Sequence, residues 1–212
     1  MMLINKTLNE YISETDSTSP TPGGGSVAAL IGTLASSLAR MYGHLSINKK
    51  AFQQLDKETQ DRFVNSFDVL NDVKEKLTIL IDEDSKSYNM VVQAYRLPKE
   101  TIEEKTVRTH AIQEATKLAI KTPYDVILQS VSGLNALEHM IPYGNKNVVS
   151  DIAMAIHLFP TVIDCSIINM RINMSSLDDK ELVDEYEKFI KKIGIDTNEK
   201  KELLIDLVNQ YM

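Results

Sequence analysis

Apolar residues recur every three to four positions from near the start of the chain to its end, and no stretch alternates with the two-residue period of a half-buried strand. The pattern predicts an all-α fold. A short helix is expected over residues 4–14, and a second over about 24–46, after a loop rich in Pro and Gly. In that second helix Ala28, Gly32 and Ser36 repeat every four residues, as do Ala35, Ala39 and Gly43 on a neighbouring face, so other backbones can approach closely on both. Residues 57–97 form a long amphipathic helix with Leu70, Val73, Leu77, Leu80, Ser87, Val91 and Ala94 on one seam, stopped by Pro98. A helix over 101–121 follows. Thr122-Pro123 then opens another that reaches about Met140, because proline is preorganised for a first helical turn. Pro142-Tyr143-Gly144-Asn145 is turn chemistry. A long apolar helix over 147–174, with a kink expected at Pro160, and two charged amphipathic helices over 178–193 and 197–211 complete the chain. These elements predict a single domain over residues 1–212, a helical bundle with long central helices.

Residues 19–29 read Ser-Pro-Thr-Pro-Gly-Gly-Gly-Ser-Val-Ala-Ala, a proline-stiffened loop and a glycine run directly in front of an apolar helix. Gly23, Gly24 and Gly25 lack a Cβ to block close approach, and the first amides of a helix have no intrahelical partners. With the positive end of the helix dipole, they suit a carboxylate, a phosphate or the edge of an electron-rich heterocycle. No Gly-Lys-Ser/Thr follows, as a P-loop needs, and no strand precedes, as a dinucleotide fold needs. The competing reading is a helix cap whose glycines serve packing alone.

Counting the seam of the long helix forward brings Asp84, rather than Asp82 or Glu83, onto the core-facing stripe. Asp82 and Glu83 are assigned to a solvated face. A carboxylate on an apolar stripe is desolvated, which suits acid–base work or a structural hydrogen bond to a neighbouring helix. Asn145, Asn147, Ser150 and Asp151 gather at a second helix start, where Asn147 is the expected cap and Asp151 falls near the apolar face. The candidate cations are Lys49, Lys50 and Arg171. Arg171 emerges from a long apolar run either to hold a carboxylate of a ligand or to pair with Asp or Glu at a helix end.

Composition narrows the class. With 23 Lys plus Arg against 30 Asp plus Glu, the net charge of -7 argues against nucleic acid and an anionic membrane surface as partners. Cys165 is the one cysteine, so an intramolecular disulfide is excluded and a cytoplasmic location is expected. It is read as a core residue rather than a nucleophile. None of the four histidines forms a His-x-x-x-His pair, so no metal site is expected. The first ten residues lack the features of a signal peptide, and the apolar runs 27–39 and 152–163 fall short of the roughly 20 residues a spanning helix needs.

The chain resembles the cyclodeaminase/cyclohydrolase family, the C-terminal half of formiminotransferase-cyclodeaminase and its stand-alone relatives. The blocks that carry the likeness are Pro22-Gly23-Gly24-Gly25-Ser26-Val27-Ala28-Ala29, Asp82-Glu83-Asp84-Ser85-Lys86-Ser87-Tyr88, Gly144-Asn145-Lys146-Asn147 with Ser150-Asp151, and Asn169-Met170-Arg171-Ile172-Asn173. Met154, His157, Phe159, Pro160 and Cys165 depart from the small residues the family favours on the helix that follows Ser150-Asp151. The resemblance implies an all-helical homodimer in the cytoplasm that binds a reduced folate, polyglutamylated forms included, with no metal or nicotinamide. It implies formiminotetrahydrofolate cyclodeamination, methenyltetrahydrofolate cyclohydrolysis, or both, with a link to histidine catabolism in the first case. Asp84 is then the catalytic carboxylate, with Asp151 as the alternative. Gly23, Gly24, Gly25, Ser26, Asn145, Asn147 and Ser150 would orient the pterin ring or tail, and Lys49, Lys50 or Arg171 would hold glutamate carboxylates. Two other readings compete: a non-catalytic helical binding protein whose glycine loop holds an anion, and a structural dimer whose glycines only bring helices close.

Overall fold

The computed structural model describes residues 2–211, and the described residues contain helices and no strand. After a 3-10 turn at Leu3–Asn5 come α1 (Leu8–Thr15), α2 (Gly24–Ile47), the single turn α3 (Lys50–Gln53), α4 (Lys57–Tyr95), α5 (Ile102–Leu137), α6 (Val149–Met174) and α7 (Lys180–Asn209). The sides of the bundle are α2 against α4, α4 against α5, α5 against α6 and α6 against α2, with α7 laid outside on α6 and α5. Neighbours run antiparallel. Ser26 meets Ile81 and Ser36 meets Leu70 across α2 and α4, while Gly133 meets Phe159 and Ala119 meets Asn173 across α5 and α6.

The small residues of α2 make this arrangement possible. A Cβ on Gly32 would lie 2.9 Å from Leu77 Cδ1, so α4 packs directly on the α2 backbone. Ala28, Ala35, Ser36 and Ala39 are buried along the same helix, and the Ser36 hydroxyl donates to the Leu70 carbonyl at 2.6 Å. On α4, Phe63, Leu70, Val73, Leu77 and Ile81 are almost completely buried. Fully burying side chains of this size contributes about 1.5–3 kcal/mol each.

Several boundaries differ from the sequence expectation for identifiable reasons. The first expected helix is broken at Lys6-Thr7, where Thr7 and Glu10 form a reciprocal capping box that starts α1. α5 runs straight through Pro123 instead of restarting there. Proline leaves the Ala119 carbonyl without its backbone donor, and the Asn173 side-chain amide of α6 supplies one at 3.0 Å. α7 likewise continues through Gly194, because Ile190, Thr197, Leu204 and Val208 bury one face on both sides of it; a glycine inside a helix costs only about 1 kcal/mol. α6 runs through Pro160. The segment Lys146–Met174 is long and apolar enough, by length and composition, to cross a membrane, contrary to the shorter runs read from the sequence, and half of its most apolar window is buried inside the bundle.

Asp82 also departs from expectation. It is buried rather than solvated, and its carboxylate accepts the Leu3 amide at 2.6 Å and the Ile4 amide at 3.4 Å. The N-terminal segment is thereby strapped across α4 two residues before Asp84. Cys165 is exposed, not part of the core.

Candidate functional site

The start of α2 lands on the C-terminal third of α4, at Asp84, because Gly25 has no side chain. A Cβ there would lie 1.9 Å from Asp84 Oδ1 and 2.4 Å from Asn169 Nδ2, so any other residue would collide with the carboxylate. The next residue holds that carboxylate. The Ser26 amide, one of the unpaired amides of the α2 N-terminus, donates to Asp84 Oδ2 at 2.9 Å, and the Ser26 hydroxyl lies 3.1 Å from the same oxygen and 2.8 Å from the Ile81 carbonyl. Oδ1 is held more loosely, by Asn169 Nδ2 of α6 at 3.4 Å. Ser85 touches the Ser26 hydroxyl at 3.2 Å, and Ser87 donates to the Asp84 carbonyl at 2.9 Å.

Burial pushes the Asp84 carboxyl above the ordinary carboxylate range, and the donors from Ser26 and Asn169 only partly offset it. A carboxylate made more basic in this way is better suited to accept a proton than an exposed one. It opens onto a cavity of about 260 Å³ walled by Pro20, Thr21 and the glycines on one side, Tyr88 and Val91 of α4 on another, and Ala119, Asn169, Ile172 and Asn173 on the third. Apolar walls with a few convergent polar groups are the ordinary make-up of a small-molecule site.

The other candidates lie elsewhere in the same chain. Asn145 and Asn147 sit at the far end of α2, about 30 Å from Gly25 at 1.5 Å per helical residue. There the Asn145 amide donates to Ser46 Oγ at 2.8 Å, its side chain accepts from the Asn147 amide at 3.2 Å, and Lys49 borders the same depression with Tyr143 and Lys146. Asn145, not Asn147, is therefore the cap, and it caps the 3-10 turn Lys146–Val148. Lys50 is exposed at the start of α3; Ser150 is exposed and Asp151 half-buried in the first turn of α6.

Arg171 does not reach the Asp84 cavity. It makes a two-pronged ion pair with Glu187 of α7, Nε to Oε1 at 3.0 Å and the terminal nitrogen to Oε2 at 2.9 Å. The cause is helical phase: Asn169 and Asn173, four apart, share the face that meets α2 and α5, while Arg171 is about 200° round from Asn169 and faces α7. These two asparagines were the informative members of that block, and their i, i+4 spacing was the available signal. Tyr11 of α1 escaped notice altogether; it is buried in the cluster that holds Leu3, Ala28 and Ile81.

Residues 7–192 match the family model described as formiminotransferase-cyclodeaminase. A methenyltetrahydrofolate cyclohydrolase of Methylorubrum extorquens is 30% identical over 181 residues, covering 85% of each chain. A formimidoyltransferase-cyclodeaminase of Rattus norvegicus is 32% identical over 178 residues, 84% of this chain and 32% of that protein, so the chain spans about a third of that longer relative. The fold matches the crystal structure of a formiminotetrahydrofolate cyclodeaminase from Thermotoga maritima with a TM-score of 0.77 at 24% identity, covering 98% of this chain and 96% of that one.

Proposed function

The chain belongs to the formiminotransferase-cyclodeaminase family, and from that premise we propose that it is a folate one-carbon enzyme acting at the carbon that bridges N5 and N10 of tetrahydrofolate. The names of its relatives, a cyclohydrolase and cyclodeaminases, support this reading. The observation that carries it is Asp84: a desolvated carboxylate, held on one oxygen by the Ser26 amide and hydroxyl at the start of α2 and facing a cavity lined by Asn169. In cyclodeamination, N10 attacks the formimino carbon, whose amidinium charge the carboxylate balances. A proton then passes from N10 through Asp84 to the departing nitrogen, which leaves as ammonia. In cyclohydrolysis Asp84 takes a proton from the water that adds to the methenyl carbon and passes it to N5 as the bond from N5 to that carbon breaks, while the proton left on the added hydroxyl is released to solvent as the carbonyl of 10-formyltetrahydrofolate forms. Both routes pass through one tetrahedral carbon, so one carboxylate serves either. The reading takes a tetrahydrofolate derivative as substrate, requires no resident metal or nicotinamide, and places the enzyme in the cytosol.

The same reading takes the active species to be a homodimer. Leu34, Met41 and Leu45 of α2 and Met154, Ile168 and Ile172 of the adjacent α6 form an exposed apolar face, with Leu34, Ile168 and Ile172 at 53%, 62% and 68% exposure. Large apolar side chains left exposed on two neighbouring helices suit an interaction surface. A two-fold axis through the middle of this face sets the α2 N-terminus and Asp84 of one chain against the end of its partner that bears Lys49, Lys50, Lys146, Asn145, Asn147 and Ser150. The folate ring at Asp84 and its glutamate tail on the partner's lysines then fill one composite site.

Absorbance of the methenyl bridge tests the activity. Its appearance from 5-formiminotetrahydrofolate identifies a cyclodeaminase, and accelerated loss of 5,10-methenyltetrahydrofolate a cyclohydrolase. No change with either substrate overturns the assignment in favour of a binding protein.

A further inference from the structure

The phenol oxygen of Tyr11 is fully buried and has no hydrogen-bond partner among the described residues. Tyr11 is the one buried residue of α1, 8% exposed, and its helix is fixed over α4 by the strap in which Asp82 accepts the Leu3 and Ile4 amides. Buried hydroxyls are almost always paired, so an unpaired one calls for an acceptor. Burial pushes its pKa up to about 12, with smaller contributions from the charge of Asp84 and then of Asp82. The phenol therefore stays protonated and can only donate usefully.

Asp82 already accepts two backbone amides. Asp84 has one well-held oxygen, Oδ2 on Ser26, and one held only by the 3.4 Å contact with Asn169. We propose that Tyr11 is a positioning residue for Asp84, its hydroxyl donating to the loosely held side of that carboxylate through a small turn of the ring or one bridging water. The inference deepens the proposed function and rests on Asp84 being the reacting carboxylate. The remaining groups that face Asp84 are Ser26 from α2, Ser85 on α4 and Asn169 from α6, all neutral, and Tyr88 at the cavity mouth; the Lys86–Glu83 ion pair on α4 is largely exposed. Tyr11 thus adds the donor that sets how readily Asp84 ionises. A donor to the ionised form lowers a carboxyl pKa, so its removal raises it.

The test is a carbon-13 NMR titration of the Asp84 carboxyl in the ligand-free protein, the signal assigned by its loss in Asp84→Asn. Tyr11→Phe keeps the ring and its packing, and the titration midpoint is expected to rise by about half a unit to one unit. With substrate, the acid limb of kcat/KM moves up by the same amount. Incorporating 3-fluorotyrosine at position 11, a stronger donor of the same shape, moves both down. A midpoint unchanged in both proteins overturns the inference, since packing alone would not respond to donor strength. The titration needs no turnover: absent activity on either folate contradicts the functional reading, and an unresponsive carboxyl contradicts the role of Tyr11.

Discussion

Asp84 and Gly25 define each other at the scale of single residues. The carboxylate occupies the space a Cβ would need, and the amide after the glycine holds it. Desolvation has a measurable consequence. Because burial raises the folded-state pKa of Asp84 above 3.8, its ionised form is disfavoured by folding. The resulting loss of stability is absent at pH values below the unfolded pKa, grows as pH rises toward the folded pKa, and is constant above it. Thermal melts of Asp84→Asn are therefore expected to lie above the parent at pH 7 and to converge with it near pH 3; a parent that melts higher at neutral pH contradicts this. Heptad counting made Asp84 legible because its burial follows from its own helix. Asp82 was misread because its partners are backbone amides 78 and 79 residues away, which no local pattern encodes. Arg171 attracted attention by its charge, yet the neutral Asn169 and Asn173 hold the correct helical phase.

At the scale of elements, the long helices are set by side chains that repair local faults from a distance. Thr122-Pro123 reads as a helix start, and would be one in isolation, but Asn173 of α6 satisfies the Ala119 carbonyl that Pro123 leaves open. Asn173→Ala is expected to destabilise the protein by about 1–3 kcal/mol, the cost of an unpaired buried acceptor. Pro123→Ala restores a backbone amide to that carbonyl, so the double variant should recover much of the loss. Equilibrium denaturation of the cycle checks it, and strictly additive effects would show that the two residues do not share the carbonyl. The overall helical class and the ends of α2 and α4 were legible because periodicity and its stops are local; the Thr7–Glu10 capping box, equally local, went unread and splits the first expected helix. The joining of two expected helices into α5, and of two into α7, was not legible, since it depends on burial against α6 that only the assembled bundle supplies.

At the scale of the molecule, the residues that resemble one family's site occupy both ends of α2. The proposed dimer unites them, and it makes a prediction that one chain alone cannot fulfil. Asp84→Asn and the double variant Lys49→Ala/Asn147→Ala should each be weak as homodimers, whereas co-expression yields mixed dimers with one intact composite site. Random pairing then restores about a quarter of the parent activity, as expected for an isologous interface. Activity equal to the average of the two inactive preparations contradicts the shared site. The central claim, that this carboxylate performs the chemistry, is tested most directly by single-turnover absorbance of the methenyl bridge at saturating folate with Asp84→Asn. The account predicts substrate binding with the chemical step slowed by a factor on the order of 100 to 10,000, the usual weight of a positioned acid–base group; a parent-like rate constant would contradict it.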